Sequence, residues 1–307
     1  MRPHAVSTPK LAALALLCLA SFIAGCSRYD SAREAFESKE YALAFQRWKR
    51  LAEFGDARAQ NDIGYLYEHG LGVTQNAAEA FRWYRAAAQT GLAPAQNNLG
   101  LAYLNGVGTR PDPMTARVWF EKAAEQEHAD AQNNLGALYN QGKGVPENNA
   151  EAARWFERAA NRGVAVAQNN LGLLYREGKG VPRDPERALY WFRRAVDGGN
   201  ISAKNNLGVM LDHGEGTPVD KKAALELFEA AARTGNATGA VNAAVLLEQG
   251  TVGTPDLLRA YAWLNVAVSR GQPTAEARRT KLSQRLSREQ IDEAQRLSLS
   301  LITKPAT

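Results

Sequence analysis

Apolar and polar positions in the middle of this chain follow helical spacing, and the whole pattern returns every 36 residues. The segment AQNNLG begins at Ala95, Ala131 and Ala167, and variants of it begin at Ala59 and Ala203. Apolar residues three and four positions apart share one face of a helix. A period of this size predicts an array of helical units, because each unit is too small to bury its apolar face without its neighbours.

The second half of each copy predicts a helix with small and large residues on one face. In the first copy these are Ala80, Trp83 and Ala87, whose spacing places them side by side. The same positions in the next four copies hold Ala116, Trp119, Ala123, Ala152, Trp155, Ala159, Ala188, Trp191, Ala195, Ala224, Leu227 and Ala231. Small residues let helices approach closely, so we expect the tryptophans to fill the core between them.

The first half of each copy predicts a shorter helix with an internal glycine, as in Leu99, Gly100 and Tyr103. Glycine inside a helix costs about 0.5–1 kcal/mol relative to alanine, so its return indicates a close helix crossing. Paired glycines then predict a tight turn with positive φ. The pairs are Gly70 and Gly72, Gly106 and Gly108, Gly142 and Gly144, Gly178 and Gly180, and Gly214 and Gly216. Each copy is expected to be helix, turn, helix.

At these residues the chain resembles the Sel1-like repeat family, whose motif reads roughly A-x-x-x-L-G-x-x-Y-x-x-G-x-G-V-x-x-D-x-x-x-A-x-x-W-x-x-x-A-A-x-x-G. Residues 56–271 hold six copies, of which four are close to the motif. The resemblance implies an all-α fold, a right-handed superhelical solenoid of TPR-like helix-turn-helix repeats. It also implies a protein-interaction scaffold or adaptor rather than an enzyme.

Two copies depart from the motif. The fifth has Leu211 where the first four copies have tyrosine, and Leu227 in place of tryptophan. In the sixth, Ala243 and Ala244 replace Leu-Gly, and Val252 replaces a turn glycine. Because valine disfavours positive φ, the sixth copy is expected to have an altered turn.

The segments that flank the six copies are expected to cap the array. Residues 35–55 resemble a degenerate copy whose second helix begins at Tyr41. Residues 272–307 predict one or two amphipathic helices, with a capping box from Ser287 to Gln290. These helices are expected to cover the last repeat, and contact with anionic lipid or an acidic partner is the alternative.

The chain begins with the pattern of an exported lipoprotein. Residues 1–25 contain Arg2, Lys10 and then an apolar run of about 15 residues, which is typical of a signal-peptide core. The sequence Ile23-Ala24-Gly25-Cys26 resembles a bacterial lipobox, so Cys26 is predicted to carry lipid after cleavage. An uncleaved anchor or an ordinary signal peptide is the alternative.

A lipidated Cys26 sets the expected location of the protein. Cys18 would leave with the signal peptide, so no thiol would remain for a disulfide. Resemblance to lipoproteins with serine after the cysteine, as at Ser27, implies the periplasmic face of the bacterial outer membrane. Residues 26–34 are expected to form a short tether that holds the first repeat near the membrane.

Charge and catalytic motifs exclude several classes of function. The formal net charge of +5 includes Arg2 and Lys10, and the remaining excess lies after Ala275, so the repeats have no basic stripe for nucleic acid. The four histidines are dispersed, and no HExxH, paired CxxC or GxSxG motif occurs. The sequence predicts no metal, cofactor or catalytic residue. A cell-wall hydrolase of β-lactamase type is the least favoured alternative, because relatives credited with that activity have a pair of cysteines in each repeat.

The side of the first helices opposite the apolar stripe is the predicted partner-binding groove, on the concave surface. Its residues are Asn61, Tyr65, Asn97, Leu101, Asn133, Ala137, Asn169, Leu173, Asn205 and Val209. Because amides donate and accept together, the asparagines suit an extended peptide. The second asparagine of each pair, such as Asn98, has a structural alternative, a ladder that joins the repeats. The first asparagine is expected to contact the ligand, as are the variable residues His69, Asn105, Gln141, Glu177 and His213.

The expected partner is a protein, either an extended peptide or a subunit of an envelope complex. Binding of a glycan, including a role in polysaccharide export, is the alternative because Tyr65 lies beside Asn61. The row then continues through Leu101 and Ala137 without an aromatic platform, which favours protein.

Overall fold

The computed structural model describes residues 28–303, and every regular element in that range is an α-helix. Helix α1 occupies residues 28–37. The later helices are α2 (Tyr41–Glu53), α3 (Ala57–His69), α4 (Ala77–Gln89), α5 (Ala93–Asn105), α6 (Pro113–Glu125), α7 (Ala129–Gln141), α8 (Asn149–Asn161), α9 (Ala165–Glu177), α10 (Pro185–Asp197), α11 (Ile201–His213), α12 (Lys221–Arg233), α13 (Ala237–Gln249), α14 (Leu257–Ser269), α15 (Pro273–Ser283) and α16 (Arg288–Thr303). The all-α, helix-turn-helix prediction is confirmed.

The helix ends follow from a few residue types at repeated positions. The second helix of each copy begins after an Asp or Asn whose side chain accepts a hydrogen bond from a backbone N–H. Asp112, for example, accepts from the backbone N–H of Thr115. These N-cap residues are Asn76, Asp112, Asn148, Asp184, Asp220 and Asp256. The first helices end at a glycine with positive φ, such as Gly106 at 77°.

The second glycine of a turn lets consecutive copies touch through their backbones. Gly108 has a φ of 67°, and a Cβ there would collide with the carbonyl oxygen of Ala77, at the start of the preceding copy's second helix. In the sixth copy Val252 stands in the turn, and the second positive φ belongs to Gly253 instead. The turn of the sixth copy is therefore altered.

The described residues form two compact units, which are divided in the sequence between Glu147 and Asn148. In the first unit α2 to α7 pack in chain order, each helix against the next. In the second unit α8 to α14 pack in the same way, and α15 and α16 both lie against α14, where Leu282 and Ala294 are buried.

In the first four copies the residue after the tryptophan is the one that fills the core. Phe120 is fully buried, whereas Trp119 is half-buried with Lys122 Nζ 4.2 Å from its ring centroid. The fully or almost fully buried aromatic residues at this position are Tyr84, Phe120, Phe156, Phe192 and Phe228. The half-buried tryptophans are Trp83, Trp119 and Trp155, while Trp191 is buried. The expectation that the tryptophan stripe forms the core is corrected: most of these tryptophans border it.

The N-terminal cap contains a helix that the sequence analysis did not predict. Residues 26–34 were expected to be a tether, but α1 already begins at residue 28. The physical reason is that Ala32 and Ala35 are buried against Trp48 and Ile63 in one apolar cluster, so α1 is the first helix of the degenerate copy. The predicted signal peptide (residues 1–25), Cys26 and Ser27 lie outside the described residues, as do residues 304–307.

Candidate partner-binding face

An asparagine ladder joins the first helices of successive copies. In the first unit Asn98 Nδ2 donates to Asn61 Oδ1 and Asn134 Nδ2 donates to Asn97 Oδ1, each over 2.9 Å. In the second unit the corresponding bonds run from Asn206 to Asn169 over 2.8 Å and from Asn242 to Asn205 over 2.9 Å. The second asparagine of one copy is thus the donor, and the first asparagine of the preceding copy is the acceptor.

This geometry changes the roles that the sequence suggested for the asparagine pair. The first asparagine was expected to be open to a ligand, but its amide oxygen accepts the ladder bond in four copies. The exception is Asn133, whose Oδ1 is buried without a hydrogen-bond partner among the described residues. Asn97 and Asn169 are only 6% exposed, while Asn61, Asn133 and Asn205 are half-buried. Both members of the pair therefore hold copies together, and the first asparagine is less available than expected.

The ladder bonds of the two units end at chemically distinct residues. In the first unit Asp62 takes the place of the second asparagine, and its Oδ2 accepts a hydrogen bond of 2.5 Å from the Tyr29 hydroxyl. An acceptor fits this position because α1 offers a donor. In the sixth copy Val241 replaces the first asparagine, so the ladder stops after Asn242.

Burial affects the ionisation of the Tyr29–Asp62 pair. Desolvation raises the pKa of Asp62 above its usual value, and the hydrogen bonds from Tyr29 and Asn61 oppose that rise. The pKa of Tyr29 is also raised, chiefly by burial and then by its bond to Asp62, so the phenol keeps its proton. The Arg58 guanidinium lies 4.3 Å from the Tyr29 ring centroid and covers the pair from one side.

The row of residues beside the ladder is partly exposed on the first helices. Tyr65 on α3 is 39% exposed, and Leu101 on α5 and Ala137 on α7 are half-buried. In the second unit Leu173 on α9 and Val209 on α11 are half-buried as well. We call the ladder and this row, in each unit separately, the first-helix face.

The last residue of each first helix borders this face and is exposed. These residues are His69, Asn105, Gln141, Glu177 and His213. They differ in charge and size from copy to copy, whereas the ladder residues scarcely change. Variation at exposed positions next to a constant frame suits selective contact with a partner.

An aromatic pocket of about 380 Å³ lies at the N-terminal end of the first-helix face. It is lined by Tyr29, Arg33, Phe36, Glu37, Trp48, Asn61, Asp62 and Tyr65. Tyr65 stacks on His69 with ring centroids 4.1 Å apart and meets the edge of Phe36 at 6.1 Å. We call this the Tyr65 pocket.

Sequence analysis found Tyr65 and Asn61 but missed the part of the pocket that α1 supplies. The signal was present, because Tyr29, Ala32 and Phe36 are spaced by three and four residues and share one helical face. Residues 26–34 were interpreted as a tether and Phe36 was assigned to the cap that follows, so this spacing was not used.

Two further kinds of site are not found in the described residues. Between residues 28 and 303 no three side chains of His, Cys, Asp or Glu gather in an arrangement that would hold a metal ion. In the same range no helix combines the length and apolar character needed to cross a bilayer.

Comparison with known proteins gives the family and the fold. The Sel1 repeat matches six consecutive segments, residues 57–92, 93–128, 129–164, 165–200, 201–236 and 237–272. No curated protein matches the chain.

Two solved structures are similar over most of this chain. A Sel1 repeat protein from Oxalobacter formigenes is 35% identical, with a TM-score of 0.72 over 78% of this chain and 96% of its own. A protective antigen of uropathogenic Escherichia coli strains, which displays an SLR fold, is 30% identical, with a TM-score of 0.73 over 90% of this chain. The present chain spans 61% of that antigen's length. Sel1 repeat proteins generally mediate protein–protein interaction, and with six consecutive repeats this chain belongs to the Sel1 repeat family.

Proposed function

We propose that this protein is a non-enzymatic adaptor that holds an extended segment of a partner protein on its first-helix face. The observation that carries the proposal is the partly exposed row of Tyr65, Leu101 and Ala137 in the first unit. This row lies on successive first helices whose spacing is fixed by the asparagine ladder. A rigid frame with a variable edge suits selective recognition of a chain that lies across several copies.

The ladder bonds decide how such a segment is held. Asn61 and Asn97 already use their amide oxygens to accept from the next copy, so a partner backbone that used the same lone pairs would compete with the array. We therefore expect apolar contacts with the row and polar contacts with the helix-end residues. The Tyr65 pocket is the expected site for an apolar or aromatic anchor of the partner, since such anchors dominate binding free energy.

Site-specific photocrosslinking in cells tests this proposal. A photoreactive residue at Tyr65 is compared with one at Val118, on the second helix of the second copy, because both side chains are 39% exposed. We expect a discrete protein to be captured from position 65 only. Leu101→Arg should reduce this capture several-fold while the melting temperature stays the same. Equal capture from both positions would contradict the proposal.

We also propose that Cys26 carries lipid and places the adaptor at the periplasmic face of the bacterial outer membrane, as part of an envelope complex. Support comes from the lipobox-like Ile23-Ala24-Gly25-Cys26 and from Ser27 after it. Mass spectrometry of the N-terminal peptide should find an acylated Cys26, and Cys26→Ser should release the protein from the membrane fraction. An N-terminal peptide with an unmodified Cys26 would overturn this part.

A glycan is the second candidate ligand, and the Tyr65 pocket is the observation that favours it. Sequence alone offered one aromatic residue, but the pocket combines Tyr29, Phe36 and Tyr65 with the polar side chains of Arg33 and Asn61. Retention of the purified protein on peptidoglycan or exported polysaccharide, lost in Tyr65→Ala but kept in Val118→Ala, would establish this alternative.

A further inference from the structure

A second pocket, of about 500 Å³, lies on the N-terminal cap and has a strongly cationic lining. It is lined by Arg28, Ser31, Gln46, Arg47, Arg50, Leu51 and Phe54, which come from α1, from α2 and from the residue that follows α2. Three of these side chains are arginines and none is a carboxylate. We call this the arginine pocket.

The three arginines lie close together, and no carboxylate in the pocket neutralises their charge. Arg47 Nη1 donates to the Ser31 carbonyl oxygen over 2.7 Å, which fixes one guanidinium across the pocket. Arg28 and Arg50 are exposed and form no ion pair with any residue between 28 and 303. By contrast Arg33, also on α1, pairs with Glu37 over 3.2 Å. Like charges gathered in this way repel one another, and a bound anion relieves that repulsion.

Phe54 adds an apolar element to the rim of the arginine pocket. Its side chain is 88% exposed, more than any other large hydrophobic residue in the described part of the chain. An exposed aromatic ring beside cationic side chains is the combination that proteins use at the boundary between lipid headgroups and acyl chains.

The chain itself brings the arginine pocket close to the membrane. Arg28 follows Cys26 by two residues, so about 7 Å of extended chain at most separates the predicted acylation site from the pocket. We propose that the arginine pocket binds the phosphate of an anionic phospholipid headgroup while Phe54 inserts at the bilayer interface. This inference rests on the membrane attachment in the proposed function. The nearby anchor is the reason to favour a lipid over an acidic peptide.

The test uses the full chain reconstituted in bilayers of phosphatidylethanolamine and phosphatidylglycerol. A photoreactive residue at Phe54 is compared with one at Met114, which is 67% exposed on α6. We expect several-fold more lipid adduct from position 54. The double variant Arg28→Gln with Arg50→Gln, which breaks no contact within residues 28–303, should reduce that adduct to the level at position 114, as should raised salt. Arg85→Gln, at an exposed position on α4, is the matched control and should leave it unchanged.

Each other result overturns the inference. The inference is wrong if positions 54 and 114 are labelled equally by lipid. It is also wrong if labelling at position 54 persists in a double variant whose melting temperature is unchanged, or if position 54 captures protein instead of lipid. Lipid labelling is measured on the reconstituted full chain, whereas acylation of Cys26 is measured in cells. A failure of acylation in cells would therefore contradict the proposed anchor and leave this result intact.

Discussion

Gly100 on α5 and Phe120 on α6 meet where the two helices of a copy cross, and a Cβ on Gly100 would lie 2.6 Å from Phe120 Cε1. The same relationship joins Gly64 to Tyr84, Gly172 to Phe192 and Gly208 to Phe228. In the sixth copy Ala244 and Leu264 take the two positions and both are buried. In that copy alanine, which is larger than glycine, is matched by leucine, which is smaller than phenylalanine.

We predict that Gly100→Ala destabilises the protein, although alanine favours helix. Overpacking against a buried ring costs about 1–3 kcal/mol. The higher helix propensity of alanine stabilises the helix by only about 0.5–1 kcal/mol. Urea unfolding should therefore show a lower midpoint. Phe120→Leu introduces the residue found at this position in the sixth copy. The double variant should be more stable than the sum of the two single effects predicts. Strict additivity would show that the two residues do not share this space.

Phe120→Ala should cost more stability than Trp119→Ala. Phe120 is fully buried, and truncation of a buried phenylalanine costs about 3–5 kcal/mol. Trp119 is half-buried beneath Lys122, so its removal leaves a smaller cavity that solvent partly fills. Thermal unfolding of the two variants checks the order. A larger loss of stability in Trp119→Ala would show that the tryptophan is the core residue, as the sequence suggested.

Asn97→Ala should lower the melting temperature. The change leaves Asn134 Nδ2 without its acceptor in a half-buried position, a loss of about 1–3 kcal/mol. The sequence suggested that Asn97 contacts a ligand, in which case its removal would weaken partner binding and spare the melting temperature; the bond from Asn134 predicts a loss of stability instead. Asn105→Ala is the matched control because Asn105 is exposed. A melt as high as that of the control would count against a structural ladder.

Acidification should stabilise the N-terminal cap through Asp62. Its pKa is raised in the folded state by desolvation, so the folded state binds this proton more tightly than the unfolded chain does. The associated stability is present below the usual value of 3.8 and is lost as the pH rises through the higher folded pKa.

Asp62→Asn removes this titration. The stability of the wild type relative to Asp62→Asn should therefore rise as the pH falls from neutral towards 4. Hydrogen exchange in α1 and α3 at several pH values measures the effect. A pH-independent difference between the two proteins would contradict the assignment.

Most of the fold could be predicted from local features of the sequence. The 36-residue period, the turn glycines and the Asp or Asn before each second helix specify helix type, length and order without knowledge of tertiary contacts. The tryptophan stripe misled because Trp119 and Phe120 are adjacent, and helical periodicity alone does not decide which of two neighbouring aromatics points into the crossing. The glycine opposite decides it, and that contact is tertiary.

The candidate site was less predictable for a related reason. Positions 61, 65, 97 and 101 were placed on the right helices, but a side chain's partner in the next copy cannot be seen within a single copy. The bond between Asn98 and Asn61 spans 37 residues. Helix α1 was missed because its burial depends on Trp48 and Ile63, which belong to later helices.

A copy whose asparagine pair is bonded on both sides can be exchanged for another such copy. The second and fifth copies are of this kind, because each presents one donor to the copy before it and one acceptor to the copy after it. The third copy differs, because Asn133 Oδ1 is buried without a hydrogen-bond partner among the described residues. Asp62 and Val241 close the series at positions where those groups would have no counterpart. Such an array can grow or shrink by whole multiples of 36 residues without new end chemistry. The number of copies is thus open to evolutionary adjustment by duplication alone.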